Sequence, residues 1–355
     1  MRKNLFLVLS IVGLLGLFSS CEEDLPGLGK EANTTFSDDN LTLTYSGSEM
    51  LGKQVEFYTT DGETATLTLT GTLDLSLLLS SEEIPEIAGL APSAIPGEVI
   101  TTISNVPLTL SENGSTYTFS GTDTQYGRTL TYSGEVSTER MTLALDVVMP
   151  ENELTGTWNF PQANGIGMVW ESDATINVGG MEIPTSTAAG LVGTVLSPVL
   201  SGMVQSFTFG EDGNISVSYL KSGATEWQSS PLNLAMYYVM DGRMYLQLNV
   251  TQIVATAQST RADISSLLSM LEGLMGYLSE GIPLTYSADG NELTLTLGTE
   301  ETKAILNLLT IDFVREKVQG IIPEDYQIYV TPILENLPEI LDSTTTLELS
   351  LHLQK

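Results

Sequence analysis

The stretch Thr66-Leu-Thr-Leu-Thr-Gly-Thr-Leu-Asp-Leu75 decides the fold of the N-terminal half of this 355-residue chain. Its leucines occupy alternate positions, so the apolar side chains share one face of a strand and the threonines and the aspartate share the other. The same period of two returns in Met141-Thr-Leu-Ala-Leu-Asp-Val147. Threonine-rich alternation of this kind predicts antiparallel strands that are buried on one face only.

Dipeptides that favour tight turns separate the alternating segments. Asp-Gly and Asn-Gly tolerate positive φ at both central positions of a two-residue loop, and each therefore predicts a hairpin. The five dipeptides are Asp61-Gly62, Asn113-Gly114, Asp212-Gly213, Asp241-Gly242 and Asp289-Gly290.

Helical periodicity is found in the C-terminal half. Apolar residues spaced by three and four predict helices over residues 187–204 and 263–279. Thr299 is a suitable N-cap for a third helix. A fourth helix, broken by two prolines, is expected over residues 326–341, and a last strand over residues 346–353.

These patterns predict a mainly β protein. An all-β antiparallel domain, a sandwich or a barrel, is expected over residues 41–150, and a β-barrel with interleaved helices over residues 154–355. Residues 21–40 are polar and without periodicity, which predicts a flexible tether. The apolar stretch 84–96 is expected to be a connector; a loop that covers an open barrel end is the alternative.

The N-terminus has the features of an export signal. Arg2 and Lys3 precede an apolar run over residues 5–17, and Ser19-Ser20 precede the single cysteine, Cys21. This arrangement predicts a signal peptide over residues 1–20, because the apolar run is too short for a membrane span. Residues 18–21 resemble the lipobox of bacterial lipoproteins, with phenylalanine in place of the usual leucine. The resemblance implies cleavage before Cys21 and lipidation of that residue, which would anchor the chain in the outer membrane.

Glu22-Glu23-Asp24 directly follow Cys21. Acidic residues at this position resemble the surface-export signal of Bacteroidetes surface lipoproteins, a group that includes uncharacterised families. The resemblance implies a lipid-anchored protein that faces the cell exterior. A plain solvated tether is the simpler interpretation of the same three residues.

The charge of the chain excludes one class of partner. The full chain has a formal net charge of −31; removal of residues 1–20 leaves 11 basic against 44 acidic residues, a net charge of −33. Such a surface repels nucleic acids, so we expect no binding of DNA or RNA. With the only cysteine acylated, no thiol remains for a disulfide or a metal site, and we expect no cofactor.

The sequence offers few catalytic candidates. His352, the only histidine, lies on the polar face of the predicted last strand, and we expect it to face solvent. Ser218-x-x-Lys221 matches a pattern of penicillin-recognising hydrolases, but it is expected at the end of a strand rather than at the start of a helix. No pair of carboxylates is singled out for glycoside hydrolysis. We therefore predict that the protein is not an enzyme.

Gly156-Thr157-Trp158 opens the second predicted domain. This motif resembles the Gly-x-Trp of the first barrel strand in lipocalin-like (calycin-like) proteins, and the resemblance implies that Trp158 plugs the closed end of a barrel. Lipocalins also place an arginine of the last strand on that tryptophan, whereas residues 343–355 contain no arginine.

Two functions are compatible with these features. The leading hypothesis is that the C-terminal domain binds an apolar or amphipathic small molecule in a cavity next to the predicted helix 263–279. The alternative is a glycan-binding or adhesion module, which exposure of Trp170 and Trp227 on one face would favour. Methionines fill adaptable apolar sites, although they are also common in cores. The candidate ligand-binding residues are Met236, Met240, Met244, Met270, Met275 and Trp158.

Overall fold

The computed structural model describes residues 34–72, 91–112, 114–178, 180–221, 223–257, 277–310, 315–316, 319–320 and 324–355. Half of the described residues are in strands and 21% are in helices, so the predicted mainly β class is confirmed. A curled sheet precedes a closed antiparallel barrel of eight strands. Predictions for the signal peptide and Cys21 concern residues that lie outside these ranges.

The curled sheet, hereafter the N-terminal sheet, has nine strands in the order β1-β4-β5-β6-β7-β8-β9-β2-β3. Their bounds are β1 (Thr34–Ser37), β2 (Leu41–Tyr45), β3 (Ser48–Glu49), β4 (Lys53–Tyr58), β5 (Thr64–Gly71), β6 (Ile100–Leu110), β7 (Tyr117–Gln125), β8 (Arg128–Val136) and β9 (Met141–Val148). The described part of the predicted alternation is confirmed, because Leu67 and Leu69 are buried and every second residue of β9 from Met141 to Val147 is buried. Their side chains line the concave face and form its core.

Two details of the N-terminal sheet differ from the prediction. Strands β2 and β9 pair in parallel, from Leu41 opposite Met141 to Tyr45 opposite Leu145. The whole chain between β2 and β9 forms the crossover that this parallel pairing requires. Local sequence patterns cannot reveal a pairing between strands so far apart in sequence. The predicted tether over residues 21–40 is too long, because β1 and a 3-10 turn (Asp38–Asn40) are ordered. Phe36 buries its ring in the core and thereby holds β1 in the sheet.

The second sheet, hereafter the barrel, closes because β10 pairs with both β14 and β21. The strands after the N-terminal sheet are β10 (Gly156–Asn159), β11 (Ile166–Ser172), β12 (Thr175–Val178), β13 (Met181–Pro184), β14 (Val204–Phe209), β15 (Asn214–Leu220), β16 (Trp227–Ser229), β17 (Ala235–Met240), β18 (Arg243–Leu248), β19 (Ile282–Asp289), β20 (Glu292–Leu297) and β21 (Thr344–Gln354). Strands β11 and β16 pair with β21 and β15 outside the ring, and β12 and β13 form a separate hairpin.

The helices are α1 (Thr185–Ser201), α2 (Val250–Ala257), α3 (Thr299–Asn307), α4 (Glu324–Glu335) and α5 (Leu337–Asp342). Helix α1 confirms the predicted helix over residues 187–204. Thr299 is the first helical residue rather than the N-cap, and its hydroxyl accepts a hydrogen bond from Leu347 N. Helix α4 continues through Pro332, and the break falls at Asn336, because Pro338 fits the first turn of α5. The predicted helix 263–279 lies outside the described residues, apart from its last three positions.

Hydrogen bonds join the N-terminal sheet to the barrel. The buried Asn233 donates from Nδ2 to the carbonyls of Ser48 (3.0 Å) and Glu49 (3.1 Å). Asn249 Nδ2 donates to Leu51 O (3.0 Å), and Gly97 N donates to Gln247 Oε1 (3.1 Å). Because these bonds involve buried or half-buried groups, they hold the two sheets in one arrangement.

Candidate ligand-binding groove

The interior of the barrel is occupied by side chains. Its buried apolar residues form one cluster, which contains Leu154, Trp158, Phe160, Phe209, Ile215, Tyr237, Met244, Ile282, Leu284, Leu293, Leu295 and Leu353. Aromatic and leucine side chains of this size fill the centre of an eight-stranded barrel. The largest cavity described below lies instead between the barrel and the N-terminal sheet.

The candidate methionines do not form one site. Met244 points into the barrel core, whereas Met236, from β17, packs into the core of the N-terminal sheet. Met240 is 49% exposed. Met236 and Met240 lie an even number of residues apart, so they share the outer face of β17. Met270 and Met275 lie outside the described residues.

Trp158 is a core residue of the barrel. It is 1% exposed, and its Nε1 donates to Leu154 O over 2.7 Å. The ammonium of Lys355 lies 4.4 Å from the centroid of its ring. A cation on the face of a tryptophan is attracted by the ring quadrupole. Lys355 therefore makes a cation–π contact with Trp158 directly after the last strand.

A groove of about 630 Å³ lies between the two sheets. Residues 96–100, Tyr126 and Arg128 of the N-terminal sheet form one side of it, and residues 237–240 of β17 form the other. The connection 149–152 closes one end. A second depression, of about 520 Å³, continues along the same connection to Glu153 and Glu211. Volumes of this size fall within the usual range for small-molecule sites, about 300–1,000 Å³.

Apolar side chains are exposed along the groove. Ile100 is 59% exposed, Tyr126 84% and Val99 41%, and Met240 faces them from the barrel. These four are among thirteen exposed large hydrophobic residues in the described part of the chain, and they line one cavity rather than being scattered. A contiguous apolar patch on a soluble surface typically marks a binding site.

A buried ion network forms part of the wall. The Arg128 guanidinium donates to Glu98 Oε1 from Nε (2.6 Å) and to Asp123 Oδ2 from Nη1 (2.8 Å). Thr101 Oγ1 donates a further bond to Glu98. Burial alone would lower the pKa of Arg128, but its bonds to both carboxylates raise that pKa above the ordinary value. Arg128 is therefore a permanent cation, and its charge is already paired.

Tyr238 supports the groove from the barrel side. Its ring stacks on Tyr245 with centroids 4.8 Å apart, and its hydroxyl donates to Glu280 O over 2.7 Å. Burial, with smaller contributions from Tyr245 and Glu280, raises the pKa of Tyr238 to about 12. Gly97 lies against this ring; an added Cβ would be 3.0 Å from Tyr238 Cδ2. The glycine thus lets the loop 96–100 approach the barrel closely.

The other candidate residues lie away from the groove. His352 is half-buried on the polar face of β21, and its Nδ1 is 3.1 Å from Thr294 Oγ1. Ser218 lies in β15 and donates to Gln205 Oε1 over 2.8 Å, while Lys221 follows the strand and is exposed. His352, Ser218 and Lys221 do not line either of the two cavities described here.

The two tryptophans proposed for glycan binding are in different environments. Trp170 is 2% exposed, and its Nε1 donates to Thr344 Oγ1 over 2.9 Å, whereas Trp227 is 41% exposed. They do not form an exposed pair. The aromatic ring that is most exposed near the groove is Tyr126, which sequence reasoning missed, because a tyrosine before Gly127 gives no turn signal.

Comparison with protein-family models, curated proteins and solved structures finds no match to this chain. In the described ranges, no helix has both the length and the apolar character that a membrane span requires. The same ranges contain no cluster of three or more His, Cys, Asp or Glu side chains suited to a metal ion.

Proposed function

We propose that the protein is a non-enzymatic lipoprotein of the cell surface that binds an apolar or amphipathic small molecule in the groove between the N-terminal sheet and the barrel. The observation that carries this proposal is the cavity of about 630 Å³ with exposed apolar side chains from both sheets. On a chain with a net charge of −31, such a patch contrasts with the surrounding surface. A ligand that covers Ile100 and Met240 removes this apolar area from water, which favours binding.

Titration with an uncharged fluorescent naphthylamine probe tests the ligand site. Ile100→Asn should weaken binding about tenfold, equivalent to ~1.4 kcal/mol. Ile328→Asn is the matched control, because Ile328 is 57% exposed on α4 and Ile100 is 59% exposed. Absence of saturable 1:1 binding, or an equal effect of the two substitutions, would contradict the proposal.

The lipid anchor is supported by residues 1–24 and is tested independently. Cys21→Ala should abolish acylation and move the protein from the membrane fraction to the soluble fraction. Protease treatment of intact cells then tests the surface location, since an outward-facing protein is digested. A Cys21→Ala protein that still carried lipid would refute the anchor, and complete protection from protease would refute the surface location.

Glycan binding is the second candidate. One observation favours it: the exposed ring of Tyr126 lies beside the polar groups of Glu98 and Asn152 in the same groove. The buried position of Trp170 disfavours it. Neutral oligosaccharides that bound at the groove, together with no binding of the naphthylamine probe, would replace the first proposal by this one.

A further inference from the structure

The ionisable groups around the groove are mostly acidic. Glu98, Arg128 and Glu151 line it, and Asp123 lies directly behind Arg128. The groove and the residue directly behind it thus contribute three carboxylates and one guanidinium, and two of the carboxylates, Glu98 and Asp123, bind that guanidinium. The adjoining depression adds Glu153 and Glu211, and the described residues that line the two cavities include no lysine.

Arg128, the one cation among the described residues that line the groove, is not available to a ligand. The Arg128 side chain is 2% exposed and is held by Glu98 and Asp123, which outnumber it. An anionic ligand would have to displace one of these carboxylates or approach the network against its net negative charge. Either route is unfavourable in a partly desolvated site. Glu151, by contrast, is exposed at the end of the groove and can meet a ligand directly.

The same groove provides surfaces for the two parts of a cationic amphipath. Val99, Ile100 and Met240 offer an apolar wall of several side chains. The carboxylate of Glu151 and the electron-rich face of Tyr126 attract an ammonium group. Charge complementarity thus distinguishes between amphipaths that have the same apolar chain.

We infer that the groove selects cationic amphipathic small molecules, with an ammonium head and an apolar chain, over anionic ones of equal chain length. This inference rests on the proposed function and specifies its ligand class. The cationic amphipath should bind at least tenfold more tightly than the anionic one of equal chain length. This difference should shrink at high salt, because Glu151 is exposed to screening ions.

The experiment compares dodecyltrimethylammonium with dodecanoate, both below their micelle concentrations, as competitors of the uncharged naphthylamine probe on the full chain. We expect the ammonium to compete at least tenfold better. Ile100→Asn should weaken both competitors, because both use the apolar wall. Equal competition, or stronger competition by dodecanoate, would overturn the inference and leave the proposed function intact. Failure of the probe itself to bind would instead refute the proposed function.

A matched pair of substitutions separates the groove from the overall charge of the protein. Glu151→Gln should reduce the preference for the ammonium about threefold, as expected for the loss of one nearby charge in a solvated site. Glu348→Gln removes the same charge from an exposed position on β21 and should leave the preference unchanged. Equal effects of both substitutions would show that the net charge of the chain causes the preference, and would overturn the assignment to the groove.

Discussion

Lys53 is a buried amine in an unfavourable environment. Its Nζ donates to Pro92 O over 2.8 Å, and burial lowers its pKa from 10.5 to about 8. The folded chain therefore binds fewer protons than the unfolded chain between these two values. The free energy of unfolding consequently rises with pH from about 8 to 10.5 through this group, and the full penalty is present at pH 7.

Lys53→Met should stabilise the protein at neutral pH. The shift in pKa corresponds to ~3 kcal/mol, and loss of the bond to Pro92 O offsets part of it, so we expect a gain of about 1–2 kcal/mol at pH 7. Urea unfolding at pH 7 and pH 10 measures the gain, which should fall by about 2–3 kcal/mol and so be lost at the higher pH, where the folded amine is already neutral. Tyr45 and Tyr238, whose pKa values are raised, are present in both the unsubstituted chain and Lys53→Met, so their contributions to the pH dependence cancel in the difference. A pH-independent difference would contradict this explanation.

Asn233 combines two roles that can be separated by substitution. It has positive φ (63°), and its amide donates to carbonyls of the β2–β3 hairpin and its flanks. Asn233→Ala should lower the free energy of unfolding by about 2–4 kcal/mol through lost hydrogen bonds and backbone strain. Asn233→Gly, which loses the same bonds without the strain, should cost about 1 kcal/mol less. Denaturant unfolding that ranked the two variants in reverse would exclude backbone strain as a cause.

Among the turns, the predicted Asp-Gly hairpins differ in outcome. Asp241-Gly242 is a two-residue loop with positive φ at both positions, as predicted. At the predicted Asp289-Gly290 turn the loop is Gly290-Asn291, one residue later than expected, because Asp289 still pairs with Glu292. Asp61-Gly62 and Asp212-Gly213 lie in longer loops, where only the glycine has positive φ. Asn113 lies outside the described residues.

Two hairpins of the same type were missed in the sequence. Ser46-Gly47 and Tyr126-Gly127 also have positive φ at both positions and connect paired strands directly. Serine and tyrosine rarely adopt this conformation, so the dipeptides give no turn signal. The second hairpin matters for function, because it places Tyr126 at the groove.

Two glycine substitutions test how tightly the turn before β15 packs on the N-terminal sheet. Gly242→Ala meets no atom within 4 Å, so it should cost only the strain of positive φ, about 1–2 kcal/mol. Gly213→Ala has similar strain, but its Cβ would lie 2.8 Å from Pro96 Cγ. We expect an additional cost of about 1–3 kcal/mol from this contact. Thermal unfolding measures both; equal destabilisation would mean that the loop 96–100 moves aside freely.

For the protein as one body, the buried junction predicts cooperative unfolding. Met236 of the barrel strand β17 belongs to the core of the N-terminal sheet, and the Asn233 and Asn249 bonds cross the same junction. Neither sheet can unfold without exposing part of the other.

The distribution of tryptophan allows this cooperativity to be measured. All three tryptophans, at positions 158, 170 and 227, follow the N-terminal sheet in the chain, so their fluorescence reports on the barrel and the strands paired with it. Tyr58→Trp adds a reporter to the N-terminal sheet at a side chain that is 54% exposed. The difference in fluorescence between chains with and without Tyr58→Trp isolates the new reporter, and its denaturant midpoint should coincide with that of the native tryptophans. Two separated transitions would refute the coupling.

Sequence patterns determined the local elements of this protein. The alternation in residues 66–69 and 141–147 defined strands with one buried face, and the spacing of leucine and valine defined α1. These predictions succeed because a period of two or of 3.6 depends only on neighbouring residues. The class of fold follows from the number of such strands, and it is confirmed.

Only the tertiary structure decided what each face of a strand packs against. In β17, the residues Met236 to Met240 are all apolar, so no alternation shows which side chains enter the barrel. Contacts with the N-terminal sheet decide that Met236 and Met240 point outwards, and this choice creates the groove. Ile100, Tyr126 and Met240 are distant in sequence, and their common exposure depends on how two sheets meet. A linear pattern carries no information about such long-range contacts, whereas the folded chain brings these residues to one surface.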